Sequence, residues 1–123
     1  MTAHRLGLER SPAIGFGRYI VSATSPFCPD DLSELRTDAP RVVSRLFPAF
    51  ESIYAERGWA MLPAIDRVYV KALARRDLGW NPLYDFGYAL EQLRTGHDPR
   101  SSLARTIGAK GYHSETTGVY TVR

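Results

Sequence analysis

The sequence predicts a mainly helical α+β fold with one or two short parallel strands, forming a single unit over residues 1–123. Three observations carry that expectation. Leu78-Gly79-Trp80-Asn81-Pro82-Leu83-Tyr84-Asp85-Phe86 reads as a complete helix–turn–helix junction. Apolar residues recur at helical spacing over Val42, Val43 and Leu46, and again over Phe86, Ala89, Leu90 and Leu93. Residues 18–23, apolar and β-branched around Tyr19, Ile20 and Val21, instead favour a strand, and residues 67–70 are a second, shorter candidate.

Taken in order, residues 3–9 are expected to be the last turns of a helix that begins upstream in a longer ancestor. Residues 18–23, centred on Tyr19, Ile20 and Val21, make the strongest strand. Thr24-Ser25-Pro26-Phe27-Cys28-Pro29 is a loop, and Pro29 suits the first turn of a helix over residues 30–36. Asp30 and Asp31 favour that helix start through the macrodipole. Asp38 and Pro40 open a further helix, Phe47-Pro48 interrupts it, and Phe50, Ile53 and Tyr54 mark one face of the next, which Gly58 ends. Residues 67–70 are a short strand before a helix over 71–78. Gly96 closes the stripe of Phe86 to Leu93, and Ser101-Ser102-Leu103 opens a last short helix. Gly108-Ala109-Lys110-Gly111 has the composition of a helix C-cap, and the tail from Tyr112 is weakly patterned.

The junction itself is specified residue by residue. Gly79 suits the left-handed conformation that closes a helix. Pro82 prevents resumption by fixing φ and removing a donor. Asp85 caps the next helix by accepting a hydrogen bond from a free backbone N–H, and Trp80 is expected to bury its ring over the joint.

Composition sets outer bounds. Hydrophobic residues make up 44% and charged residues 24%, as in ordinary globular proteins. No apolar run approaches the ~20 residues that span a bilayer, and residues 1–10 lack the apolar stretch of a signal peptide. Cys28 is the only cysteine, which excludes an internal disulfide and suits a reducing compartment, so the cytoplasm is expected. The net charge is +3, with arginines dispersed among acids rather than gathered in a stripe, which speaks against nucleic acid as a partner. His4, His97, His113 and Cys28 have no metal-ligand spacing.

Helix, Leu-Gly-Trp-x-Pro and a capped helix together resemble the C-terminal end of the extended short-chain dehydrogenase/reductases. This is the NAD-dependent epimerase/dehydratase family, best known for its nucleotide-sugar 4-epimerases. The similarity extends to Gly15-Phe16-Gly17-Arg18-Tyr19-Ile20-Val21-Ser22-Ala23, to Ile65-Asp66-Arg67-Val68-Tyr69 and to Lys110-Gly111-Tyr112-His113. It covers only the C-terminal portion of such an enzyme. The resemblance therefore implies a substrate-binding lobe of a UDP-glucose 4-epimerase-like protein, without the Rossmann domain. It implies NAD for the family, though no cofactor for this chain alone. It also implies a nucleotide-sugar ligand, and completion by a separate nucleotide-binding chain or a homo-oligomer.

The family's catalytic pair is a tyrosine with a lysine four positions on, which lowers the phenol pKa. None of the seven tyrosines has that lysine; Tyr69 meets Leu73 there. Gly15-Phe16-Gly17 precedes an expected strand instead of following one, so it lacks the order of a dinucleotide cradle. No catalytic residue is expected in this chain. Asp66 and Arg67 stand where family members touch the nucleotide-sugar, and Arg67 can grip a diphosphate with a bidentate fork. The same two residues can equally pair with each other on a solvated edge. Ala60-Met61-Leu62-Pro63 replaces the Arg-x-Gly-Asp-type stretch usual upstream. Arg18, Ser22 and Thr24 flank the first strand, where a ligand or a loop hydrogen bond would use them, and Tyr19 and Tyr69 suit either packing or stacking on uracil. Glu51, Glu56 and Asp77 are expected to be solvated helix charges. Two other functional classes stand beside the lobe: a non-catalytic helical interaction or scaffold domain, and a DNA-binding helix–turn–helix over residues 71–94.

Overall fold

The computed structural model describes residues 2–107, and these are mainly helical. Helix α1 spans Thr2–Ile14, further than the stretch 3–9 expected from its pattern. It runs through Pro12, which has no N–H for the Leu8 carbonyl; the Ser11 hydroxyl donates to that carbonyl instead, at 2.9 Å. A 3-10 turn at Pro29–Asp31 leads into α2 (Leu32–Leu35), followed by α3 (Ala39–Leu46) and α4 (Phe50–Glu56). A wide π-helical turn at Ala74–Leu78 precedes α5 (Phe86–Arg94) and α6 (Ser102–Ile107). The stretches 108–111 and 110–113 singled out above lie outside the described residues.

The capping chemistry forms as the residue types dictate. Asp38 accepts from the Arg41 N–H at 3.2 Å to start α3, and Asp85 accepts from the Tyr88 N–H at 2.9 Å to start α5. Ser101 does the same for α6 through the Ala104 N–H. Gly79 takes φ 69°, so that its own N–H and that of Trp80 turn back to the carbonyls of Arg75 and Ala74. Trp80 is half-buried at this joint, and its indole N–H meets no partner.

Two apolar clusters form the core. Val43, Phe50, Ile53 and Leu90 make one, where α3, α4 and α5 meet; Leu35, Ala39 and Val42 make the other, between α2 and α3. Phe27 packs against both, so the loop before the 3-10 turn closes the core. Phe47 and Phe86 meet edge to face at 5.1 Å, which fixes the start of α5 over the α3–α4 corner. Helix α1 lies apart and packs on the π-helical turn. Tyr19 strengthens that contact by donating its hydroxyl to Asp77 at 3.3 Å.

The expected parallel strands at 18–23 and 67–70 do not form; no strand occurs among the described residues. Both stretches are extended, and both border the same hollow through residues 22–24 and 67–69. Yet residues 17–26 and 66–70 exchange no backbone hydrogen bond with other described residues. Local β-branching makes a backbone extended, but a ladder requires a second edge in register at about 4.8 Å. Neither stretch supplies that edge to the other.

Candidate functional site

The segment 63–70 is pinned across the α2–α3 corner by two backbone hydrogen bonds. The Ile65 N–H donates to the Leu35 carbonyl at 2.7 Å, and the Ala39 N–H donates to the Pro63 carbonyl at 3.0 Å. Facing it is the arm that carries Phe27, Cys28 and Pro29 into α2. Asp31, only 6% exposed, anchors this arm. Its carboxylate accepts from the Cys28 N–H at 2.8 Å and from the Arg45 guanidinium on α3. The Cys28 hydrogen bond, with Arg45 adding, holds the Asp31 carboxyl below the usual carboxylate range.

Between arm and segment lies a cleft of about 430 Å³, within the range of small-molecule sites. Its walls are mostly apolar, from Phe27, Leu32, Ile65, Val68 and Tyr69, with Arg36, Arg67 and Asp66 supplying charge and Cys28 a thiol. A smaller hollow of about 230 Å³ shares Phe27 and residues 67–69 and reaches Ser22 and Phe86. Ser22 Oγ is buried and meets no hydrogen-bond partner. Hydrophobic walls with guanidinium groups suit an organic anion: rings gain from apolar burial, and an arginine fork matches carboxylate or phosphate oxygens.

Asp66 and Arg67 both line this cleft, and they pair with each other at 3.6 Å with side chains 82% and 77% exposed. Arg18 is exposed and is not among the residues lining either hollow, so the structure does not bring it to the other two. Tyr69 lines both hollows, while the Tyr19 hydroxyl is spent on Asp77. Burial and the Asp77 charge push the Tyr19 phenol up. Asp77 is therefore more than a solvated helix charge. It accepts from Tyr19 and from Arg76, whose guanidinium holds its carboxyl below the usual range. Glu51 accepts from the Ser44 hydroxyl and Glu56 pairs with Arg57.

The Gly15-Phe16-Gly17 stretch does not fit a dinucleotide cradle. Gly15, at φ 69°, follows the end of α1, and the chain then runs extended, so no helix N-terminus follows to meet a pyrophosphate. A Cβ at Gly17 would fall 2.4 Å from the Tyr19 hydroxyl, so this glycine serves the approach of that ring.

Sequence reasoning missed Arg36, Phe27 and Leu32. Arg36 ends a short helix and belongs to no motif; its place in the cleft depends on segment 63–70, which is remote in sequence. No group of three or more His, Cys, Asp or Glu able to hold a metal ion occurs among the described residues. No described helix is long and apolar enough to cross a membrane.

Comparison with protein-family models, curated proteins and solved structures finds no match to this chain.

Proposed function

We propose that this chain is the substrate-binding lobe of an NAD-dependent nucleotide-sugar epimerase/dehydratase-like protein, UDP-glucose 4-epimerase-like in its ligand class and without chemistry of its own. The observation that carries the reading is the state of the two extended segments. Their backbone groups are unpaired within the described chain, and Phe16, just before the first, and Val70, in the second, are 81% and 66% exposed. Apolar side chains beside unpaired edges suit burial against another body. A nucleotide-binding polypeptide fills that role in this reading, bringing NAD and the tyrosine–lysine pair. Arg67 and Asp66, with Arg18 reoriented on docking, then face the nucleotide-sugar across the cleft.

Copurification of the tagged chain from its native host tests the proposal. The expected partner, identified by mass spectrometry, carries a glycine-rich strand–helix segment and a Tyr-x-x-x-Lys pair. A chain that isolates alone, and gives no calorimetric heat with UDP-glucose up to millimolar concentration, contradicts it.

A second reading, a non-catalytic helical interaction domain, is favoured by the mutual pairing of Asp66 and Arg67, which gives the arginine an acidic neighbour without a ligand. A DNA-binding role for residues 71–94 finds less support, since Arg76 and Arg94 are engaged by Asp77 and Glu91.

A further inference from the structure

The two arginines of the cleft are not equivalent. Arg67 has the Asp66 carboxylate as a neighbour at 3.6 Å, an exposed ion pair that a ligand phosphate would have to share. Arg36 stands at the end of α2; of the carboxylates nearest in sequence, Glu34 is taken by Arg41 and Arg45, and Asp38 accepts from the Arg41 N–H to cap α3. Among the described residues Arg36 makes no ion pair. With Ser33 and the Asp30 carboxylate, it also borders a second, more polar hollow of about 560 Å³ next to the cleft, so it sits where the apolar walls give way to an open basin. A ligand that buries a ring between Phe27, Leu32 and Tyr69 would leave its charged end at that boundary.

We infer that Arg36 is the anchor for the anionic end of the cleft's ligand, a planar ring bearing a phosphate ester, and that Arg67 is secondary. The inference rests on the reading of this cleft as the substrate site and names the residue and the ligand group that meet there. A guanidinium free of a carboxylate offers its whole fork to phosphate oxygens, whereas a paired one must first give up its partner.

Cys28 makes the test direct, because it is the only cysteine, is exposed, and lines the cleft. The rate of its alkylation by N-ethylmaleimide, followed by mass spectrometry, reports occupancy. UDP-glucose at twice its Kd is expected to slow alkylation about threefold, and uridine, lacking phosphate, far less. Arg36→Gln abolishes the protection, and Arg67→Gln keeps most of it. Arg36 is exposed, so an unchanged far-ultraviolet spectrum is expected of the variant. Protection that survives Arg36→Gln and is lost in Arg67→Gln overturns the inference while leaving the nucleotide-sugar site standing. Protection by 4-nitrophenyl phosphate, dependent on Arg36 and absent with UDP-glucose, keeps the anchor and removes the nucleotide-sugar. Alkylation unaffected by every probe overturns the inference.

Discussion

Arg57 shows how much one side chain holds in so small a core. From the end of α4 it donates to the carbonyls of Ile53 at 3.2 Å and of Leu93 at 2.6 Å, and its guanidinium carbon lies 5.9 Å from the centre of the Trp59 ring. It thus caps the last turns of α4 and α5 together, with its charge at the negative ends of both helices. Arg57→Gln is expected to cost about 1–3 kcal/mol in urea unfolding, and lysine should restore little because it cannot fork to two carbonyls. Carboxylates give a second test. Asp31, Asp77, Glu91 and Asp98 are all held below their ordinary range by hydrogen-bonded partners, Asp98 to about 2 by the Arg100 side chain and N–H. Depressed carboxyls bind fewer protons folded than unfolded. Their stabilisation is therefore present above the ordinary value of 3.8 for aspartate and is lost as pH falls toward 2. The urea midpoint should be level above pH 5 and fall between pH 4 and 2, more shallowly in Asp31→Asn; a midpoint that rises on acidification contradicts this. At this scale the sequence singled out Asp66 and Arg67 through a family resemblance, and both line the cleft. It was silent on Arg36 and Arg57, whose partners are remote in the chain.

Helix ends were the most legible part of the sequence because each is a local agreement between a few residues. Asp38, Asp85 and Gly79 act at the positions where their chemistry is required. Asp85→Ala is expected to lower stability by about 1 kcal/mol, measured by urea unfolding, through loss of the Tyr88 N–H acceptor. The strands failed for the opposite reason. Composition around Tyr19-Ile20-Val21 and Val68-Tyr69-Val70 encodes an extended backbone, whereas pairing belongs to two segments at once. Amides of 17–26 and 66–70 should therefore exchange with deuterium far faster than those of α3 and α4 in the isolated chain. Equal protection would show that they are paired after all. The widening of the Lys71–Leu78 helix into a π-turn had no residue signal, since its capping glycine serves an α-helix equally well.

For the whole molecule the balance is between a small closed core and open arms. Two clusters joined by Phe27 hold α2 to α5, while α1 attaches through the π-turn and the Tyr19–Asp77 contact. Phe16, Val70 and Leu83 remain outside this core. Hydrophobic periodicity revealed the core, because burial inside one chain leaves a helical stripe. It could not reveal the arms' destination, because apolar residues awaiting a partner and those awaiting their own helices look alike in sequence. The central claim is that these arms cover themselves on a nucleotide-binding polypeptide. Replacing Val70 with a photo-crosslinking benzoylphenylalanine, irradiating the native host and identifying the product by mass spectrometry tests it. The account predicts a crosslink to a chain with a glycine-rich strand–helix segment; recovery of Val70-substituted protein linked only to itself, or to nothing, would contradict it.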